Sequence, residues 1–151
     1  MTVDLESLEQ YLHTHIPITS AMGVTVVSAD EDGVRLAAPF EPNINQRNTV
    51  FGGSAATLAI LSAWTLVHIQ LNAASIPSRI VIQRGDVDYL HPLNGDFEAF
   101  CPTPEPERWG RFLRALRRRG RARIVLQAEL LGEGRVAGRF EGSYVAMHSA
   151  A

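Results

Sequence analysis

The segment Asn43 to Thr57 gathers most of the groups in this chain that could act on a substrate. A polar loop, Asn43-Ile44-Asn45-Gln46-Arg47-Asn48-Thr49, runs into Phe51-Gly52-Gly53-Ser54, where an apolar helix begins. Two glycines at a helix start leave backbone N–H groups uncovered, at the positive end of the helix dipole. Such a place suits a carbonyl oxygen becoming an oxyanion, or a phosphate. A Gly-Gly pair also serves close packing where strand turns into helix, so the pair alone leaves both uses open. Elsewhere, Asp86 and Asp88 lie two apart on a strand and so share a face, unless Gly85 marks a bulge. They offer either a carboxylate base, with Asp86 preferred as nearer mid-strand, or two solvent-facing side chains.

The other reactive side chains carry less. His13 and His15 suit the C-terminal end of a first helix. His68 falls far along the apolar helix, His91 precedes a proline in a turn, and His148 is in the C-terminal tail. No pair has a metal-ligand spacing such as His-x-x-x-His with a flanking Glu, and no metal or organic cofactor is implied. Ser54 lacks the Gly-x-Ser-x-Gly elbow and Cys101 lacks a partner group, so neither reads as a nucleophile.

The elements that must position these groups are legible in outline. Leu5, Leu8 and Leu12 mark an amphipathic helix over Asp4 to His15, which Pro17 ends. Met22 to Ala29 and Val34 to Phe40 read as strands joined by Asp30-Glu31-Asp32-Gly33, a hairpin signal. The helix from Gly53 to about Asn72 is apolar nearly all round, which requires burial. No charge falls between Arg47 and Arg79, which raises the question of a membrane span. Ser54, Thr57, Thr65, His68 and Asn72 form a polar stripe along that helix, however, and lipid contact on all sides is not expected. Strands follow at Ser78 to Leu90 and Phe97 to Cys101, then a helix opened by Glu105 and Glu107 and closed by Gly120. Ala122 to Leu131 and Arg135 to Met147 form a last strand pair. The sum is one domain over 1–151, α+β in class, with a curved sheet around the long helix and an edge that invites self-association.

Composition bounds the function. The 151 residues carry a net charge of −2, so the chain as a whole does not attract nucleic acid. Every positive residue is arginine, and eight of the 14 fall between Arg108 and Arg123, a stretch without an acid. Aromatic side chains do not interleave this block outside the helix's apolar stripe, which also disfavours nucleic acid. A single cysteine excludes an internal disulfide, and acids in the first residues do not suit a signal peptide. A cytoplasmic setting is the expectation.

Asn45-x-x-x-Thr49-x-Phe51-Gly52-Gly53, leading into an apolar helix, resembles the loop-to-helix motif of hotdog-fold acyl-CoA thioesterases. The PaaI type carries Asn there and, six residues on, His-Gly-Gly. A longer likeness, to the thioesterase family typified by the C-terminal domain of YiiD, runs through most of the chain. It takes in His15-Ile16-Pro17, Ala21-Met22-Gly23-Val24, Phe51-Gly52-Gly53-Ser54, Ala63-Trp64, Tyr89-Leu90-x-Pro92, Phe112-Leu113 and Ala122-Arg123-Ile124.

This resemblance implies a hotdog fold: a long central helix wrapped by a bent antiparallel sheet of about six strands, with extra short helices. It implies a homodimer or tetramer whose subunits pair edge to edge, with thioester hydrolysis by water at the interface. The substrate would be an acyl-CoA or an acyl carrier protein thioester. Gly53 N–H would be the leading oxyanion donor, assisted by Gly52 or Ser54, and Asn45 would hold the carbonyl or the water. Phe51 and Thr57 would adjoin the substrate.

The departures from that pattern shape the expectation. Phe51 stands where the PaaI type has histidine, and Ile60 where it has a helix carboxylate. Thr57, one turn earlier, can orient water but cannot accept its proton. Asn48 replaces a loop glycine. A base would then come from elsewhere, with Asp86 of a partner subunit the candidate. Arg117 and Arg118, with Arg114 and Arg121, would grip coenzyme A phosphates or an acidic carrier protein, or form a solvated helix face. The lost histidine and carboxylate also raise a non-hydrolytic acyl-thioester binding protein as the alternative. A hotdog dehydratase, which needs a His–Asp or His–Glu pair, is disfavoured.

Overall fold

The structure, a computed structural model, describes residues 2–148. The Asp4 carboxylate accepts the Glu6 and Ser7 N–H groups and starts helix α1 (Leu5–His15), whose Leu8 and Leu12 are buried. Pro17 opens a second helix, α2 (Pro17–Met22), rather than a loop: at the first helical position its missing N–H costs nothing. Gly23, with φ 74°, closes α2, so the strand expected from Met22 begins only at Thr25.

Strands β1 (Thr25–Asp30) and β2 (Gly33–Ala38) form the expected hairpin, and a 3-10 turn at Glu41–Asn43 follows. Next come α3 (Gly52–Ala73), β3 (Ser78–Tyr89), β4 (Phe97–Pro102), α4 (Pro106–Arg119), β5 (Arg121–Gly132) and β6 (Arg135–His148). The strands make one antiparallel sheet in the order β1-β2-β4-β5-β6-β3, and α3 packs against β2 to β6. This is the hotdog arrangement the resemblance implies.

α3 is long and apolar enough to cross a membrane by length and composition, but the sheet takes up its apolar surface. Two side chains fasten it: the buried Tyr144 hydroxyl donates to Ile60 O (2.7 Å), and the Trp64 indole N–H donates to Ile80 O on β3 (3.1 Å). The polar stripe is only partly solvated. Thr65 is fully buried with its hydroxyl unpartnered, because the helix face that the sheet leaves half-open runs instead through Thr57, Ile60, Trp64 and His68. His68 stacks between Tyr11 and Trp64, with ring centroids 4.7 and 4.9 Å away.

The two sheet edges differ. At β1 the neighbouring backbone is served by α1: the Glu9 carboxylate accepts Val26 N–H (2.9 Å), and a His13 ring nitrogen lies 2.7 Å from Val24 O. β3 is a full 12-residue strand with β6 on one side only. Its irregularity falls at Gln83, between Ile82 and Arg84, rather than at Gly85. Large apolar side chains stand exposed on and beside it, Val81 at 44%, Leu90 at 42%, Tyr89 at 57% and Phe51 at 56%. A long, unpaired, apolar edge is a template for another strand.

Candidate active site

Two asparagines build the approach to α3. Asn43 is buried, and its Nδ2 donates to Met22 O (2.9 Å) and Pro39 O (2.8 Å), tying the loop to the end of α2. Its main-chain oxygen accepts Phe51 N–H (2.7 Å), which sets the residue just before the glycines. Asn45 closes the loop on itself. Its Oδ1 accepts Arg47 N–H (2.8 Å) and Thr49 N–H (3.2 Å), and its Nδ2 donates to the Thr49 hydroxyl (2.7 Å). The Asn45 carbonyl of the side chain is therefore occupied within the loop, and one Nδ2 hydrogen is left to meet a ligand. Asn48 has φ 59°, a left-handed conformation that asparagine tolerates, which explains how it stands in a glycine's place.

At the helix start, Phe51 O accepts Ser54 N–H (2.9 Å) and Ala55 N–H (3.1 Å). Gly52 and Gly53 N–H have no hydrogen-bond partner among the described residues. The expectation for Ser54 is thus corrected: its amide is engaged, and the free donors are the two glycine amides. The Phe51 ring lies against Gly53 so closely that a Cβ at 53 would overlap it, so glycine is what lets the aromatic ring sit over this turn. The Thr57 hydroxyl donates to Gly53 O (2.7 Å), which leaves it only lone pairs to offer a water.

Tyr89 completes the site from the sheet side, its hydroxyl donating to Gly52 O (2.9 Å). Beside it opens a cleft of about 270 Å³, lined by apolar side chains such as Val50, Ala55, Leu90 and Leu93, and also by His91. Neither Asn43, Tyr89 nor His91 was singled out for the site in the sequence. For Tyr89 a signal existed: counting by twos from Val87 puts it on the sheet's helix-facing side.

The same count moves Asp86 away. In the pairing with β6, Asp86 faces Glu141 and Asp88 faces Arg139, while Val87 faces the buried Phe140. Both aspartates therefore share a face, as expected, but it is the outer one. There they line a groove of about 430 Å³ with Gln127, Glu129, Arg139 and Glu141, and the exposed Asp86 carboxylate pairs with Arg84 (3.3 Å). The sheet stands between Asp86 and the Gly52-Gly53 turn, so Asp86 cannot serve that turn as a base within one subunit. Extending the sheet across its β3 edge would keep outer faces outer, so it would not serve a partner's turn either.

Arg117 and Arg118 are exposed at the C-terminal end of α4. That end adjoins the beginning of β3, because Gly120 O accepts His148 N–H and His148 pairs with Ser78. The glycine turn adjoins the end of β3, so the arginines and the turn lie at opposite ends of one subunit. Cys101 is buried, and loss of water pushes its thiol up to about 12, which excludes a thiolate at neutral pH. Among the described residues, no group of three or more His, Cys, Asp or Glu could hold a metal ion.

Known structures share this architecture. A protein of unknown function from Chlorobaculum tepidum TLS is 31% identical over 95% of this chain and 94% of its own, with a TM-score of 0.90. A putative thioesterase from Shewanella oneidensis is 28% identical over 95% of this chain and 96% of its own, at 0.84. A mutant of the phenylacetic acid degradation protein PaaI from Thermus thermophilus is 19% identical and superposes at 0.64 over 87% of this chain and 98% of its own, a likeness of fold. The free glycine amides, the loop that leads to them and the helix they open all fall inside the match, residues 5–148, to the family described as "Putative thioesterase (yiiD_Cterm)", and the chain belongs to that family.

Proposed function

We propose that this protein hydrolyses an acyl thioester, with coenzyme A or an acyl carrier protein as the thiol, at the turn formed by Phe51, Gly52 and Gly53. The observation that carries the reading is the pair of unpartnered amides, Gly52 and Gly53, at the head of a 22-residue helix and beside an apolar cleft. The acyl chain lies in the cleft, and the thioester oxygen accepts from the glycine N–H groups. Among the residues lining the cleft, His91 carries the side chain suited to act as a general base. Its imidazole removes a proton from water, and the oxygen adds to the carbonyl carbon. The amides hold the resulting oxyanion. Collapse breaks the C–S bond, and the thiolate takes the proton back, leaving a carboxylic acid and a free thiol. The uncovered β3 edge, with Val81, Tyr89 and Leu90 exposed, is where a second copy pairs to close the site.

A specific observation favours the second reading, a protein that binds acyl thioesters without hydrolysing them. The cleft lining contains no carboxylate, and Phe51 occupies the turn. Thiol release from short-, medium- and long-chain acyl-CoAs separates the two. The hydrolase turns over above the buffer rate, loses roughly 10²- to 10⁴-fold in His91→Gln, and is unchanged in Asp86→Ala. Saturable binding with no turnover across the panel establishes the binding protein instead.

A further inference from the structure

The arginine-rich segment has no counter-charge of its own. Among the described residues Arg111 pairs with Glu107 (3.5 Å), whereas Arg114, Arg117, Arg118, Arg119, Arg121 and Arg123 are exposed and make no ion pair. Guanidinium groups held this close repel one another until an anion joins them. Their planar forks suit phosphate oxygens better than a point charge would.

Their position decides which site such an anion could share. The register runs from Arg121 to Met147 to Arg79, so the helix end and its arginines flank the first residues of β3. The His148 ring nitrogen, 3.1 Å from Pro77 O, fastens the same corner. Tyr89 and Gly52 lie at the last residue of that strand, roughly 36 Å away at ~3.3 Å per residue. Within one subunit the arginines and the glycine turn are therefore far apart. Antiparallel pairing of the whole exposed β3 edge with its equivalent in a second copy sets Ser78 against the partner's Tyr89. The arginines of one subunit then stand beside the glycine turn of the other.

We propose that Arg117 and Arg118 of one subunit bind the phosphates of the coenzyme A portion of a thioester whose carbonyl is held at Gly52 and Gly53 of the partner. The inference rests on the thioester reading and on the β3 pairing above, and it chooses coenzyme A over a carrier protein. A nucleotide carrying a diphosphate and a ribose phosphate supplies several acceptor groups close together, as the cluster of exposed guanidiniums requires. The rest of the chain, with four arginines against 13 acids before residue 108, repels that anion and leaves this corner as its landing place.

The test uses an S-alkyl coenzyme A thioether, which cannot be hydrolysed, titrated calorimetrically into the purified oligomer. The expected result is one ligand per subunit in the wild type. Arg117→Ala/Arg118→Ala should weaken binding about 10- to 100-fold while leaving the KM for an acyl N-acetylcysteamine thioester, which has no phosphate, unchanged. Gly52→Trp fills the cleft from a position whose Cβ would sit 3.5 Å from the Tyr89 ring, and it should lose binding as well. If that variant does not fold, Gly52→Glu, whose carboxylate caps the free amides, replaces it.

The decisive sample is the mixed dimer of a Gly52→Trp subunit with an Arg117→Ala/Arg118→Ala subunit. Binding across subunits gives one wild-type-strength site per mixed dimer, because the intact cleft and the intact arginines face each other. No strong site in the mixed dimer, unchanged affinity in the arginine variant, no thioether binding by the wild type, or a monomeric wild type each overturns the inference. Failure of the hydrolase reading is a different result: arginine-dependent thioether binding without turnover of any acyl-CoA.

Discussion

Replacing Asn43 with alanine tests whether the loop before α3 is held by the buried amide. In the native protein Asn43 Nδ2 serves two carbonyls, Met22 O at 2.9 Å and Pro39 O at 2.8 Å, on a side chain 2% exposed. Both are acceptors only, so the amide orientation is determined by its partners. Alanine leaves both oxygens without a donor, at about 1–3 kcal/mol each for a buried group. Against this, the native Oδ1 is itself buried without a partner, and its removal returns a cost of the same order as one of these. The net destabilisation is about 1–3 kcal/mol. For a domain of about 150 residues each kcal/mol lowers Tm by roughly 2–4 °C, so a fall of about 2–12 °C is expected by calorimetry. The same change loosens the Asn43 main chain that accepts Phe51 N–H, so kcat for thioester hydrolysis should fall about tenfold with a smaller change in KM. A Tm indistinguishable from that of the wild type refutes the hydrogen-bond accounting. A lowered Tm with unchanged kcat refutes the link from Asn43 to the glycine turn.

Two further outcomes follow from buried groups. Burial, and then the neighbouring His15, hold the His68 imidazole below its usual 6.5, so the unfolded chain takes up the proton first. Stability is therefore retained above pH 6.5 and declines as pH falls below it. His68→Phe, which keeps the stack on Tyr11 and Trp64, should flatten the acid side of a Tm-against-pH curve, and an unchanged curve would refute this. Cys101, fully buried with its thiol pushed up to about 12, should be unreactive to a thiol reagent in the native protein and should release one equivalent in denaturant. Rapid native labelling would contradict the burial.

Much of the fold was written in local patterns. Periodic leucines marked α1, the uncharged apolar run marked α3, Asp30 to Gly33 marked the first hairpin, and Gly120, at φ 72°, marked the end of α4. α2 was not legible. Its six residues are too few to show a period, and Pro17 signals a helix start as readily as a stop. The glycine turn was visible as a motif, but the engagement of the Ser54 amide and the freedom of its two neighbours depend on the path that Phe51 takes. That path is set from a distance, by Asn43 reaching back to Met22 and Pro39.

By itself the sequence determined the order of elements, the family motif and the clustering of arginines, because each is a matter of neighbours along the chain. Which face each side chain occupies, and what it meets there, belongs to pairing between distant segments. The β3–β6 register turned Asp86 to the outer face and Tyr89 toward Gly52, and a one-residue shift of that register would have exchanged them. The strand order left β3 open at the edge and put the arginines at the opposite end of the subunit from the glycine amides. Only the tertiary structure could decide this, because a hydrogen-bonded ladder joins residues by their partners across the sheet and not by their distance in the chain.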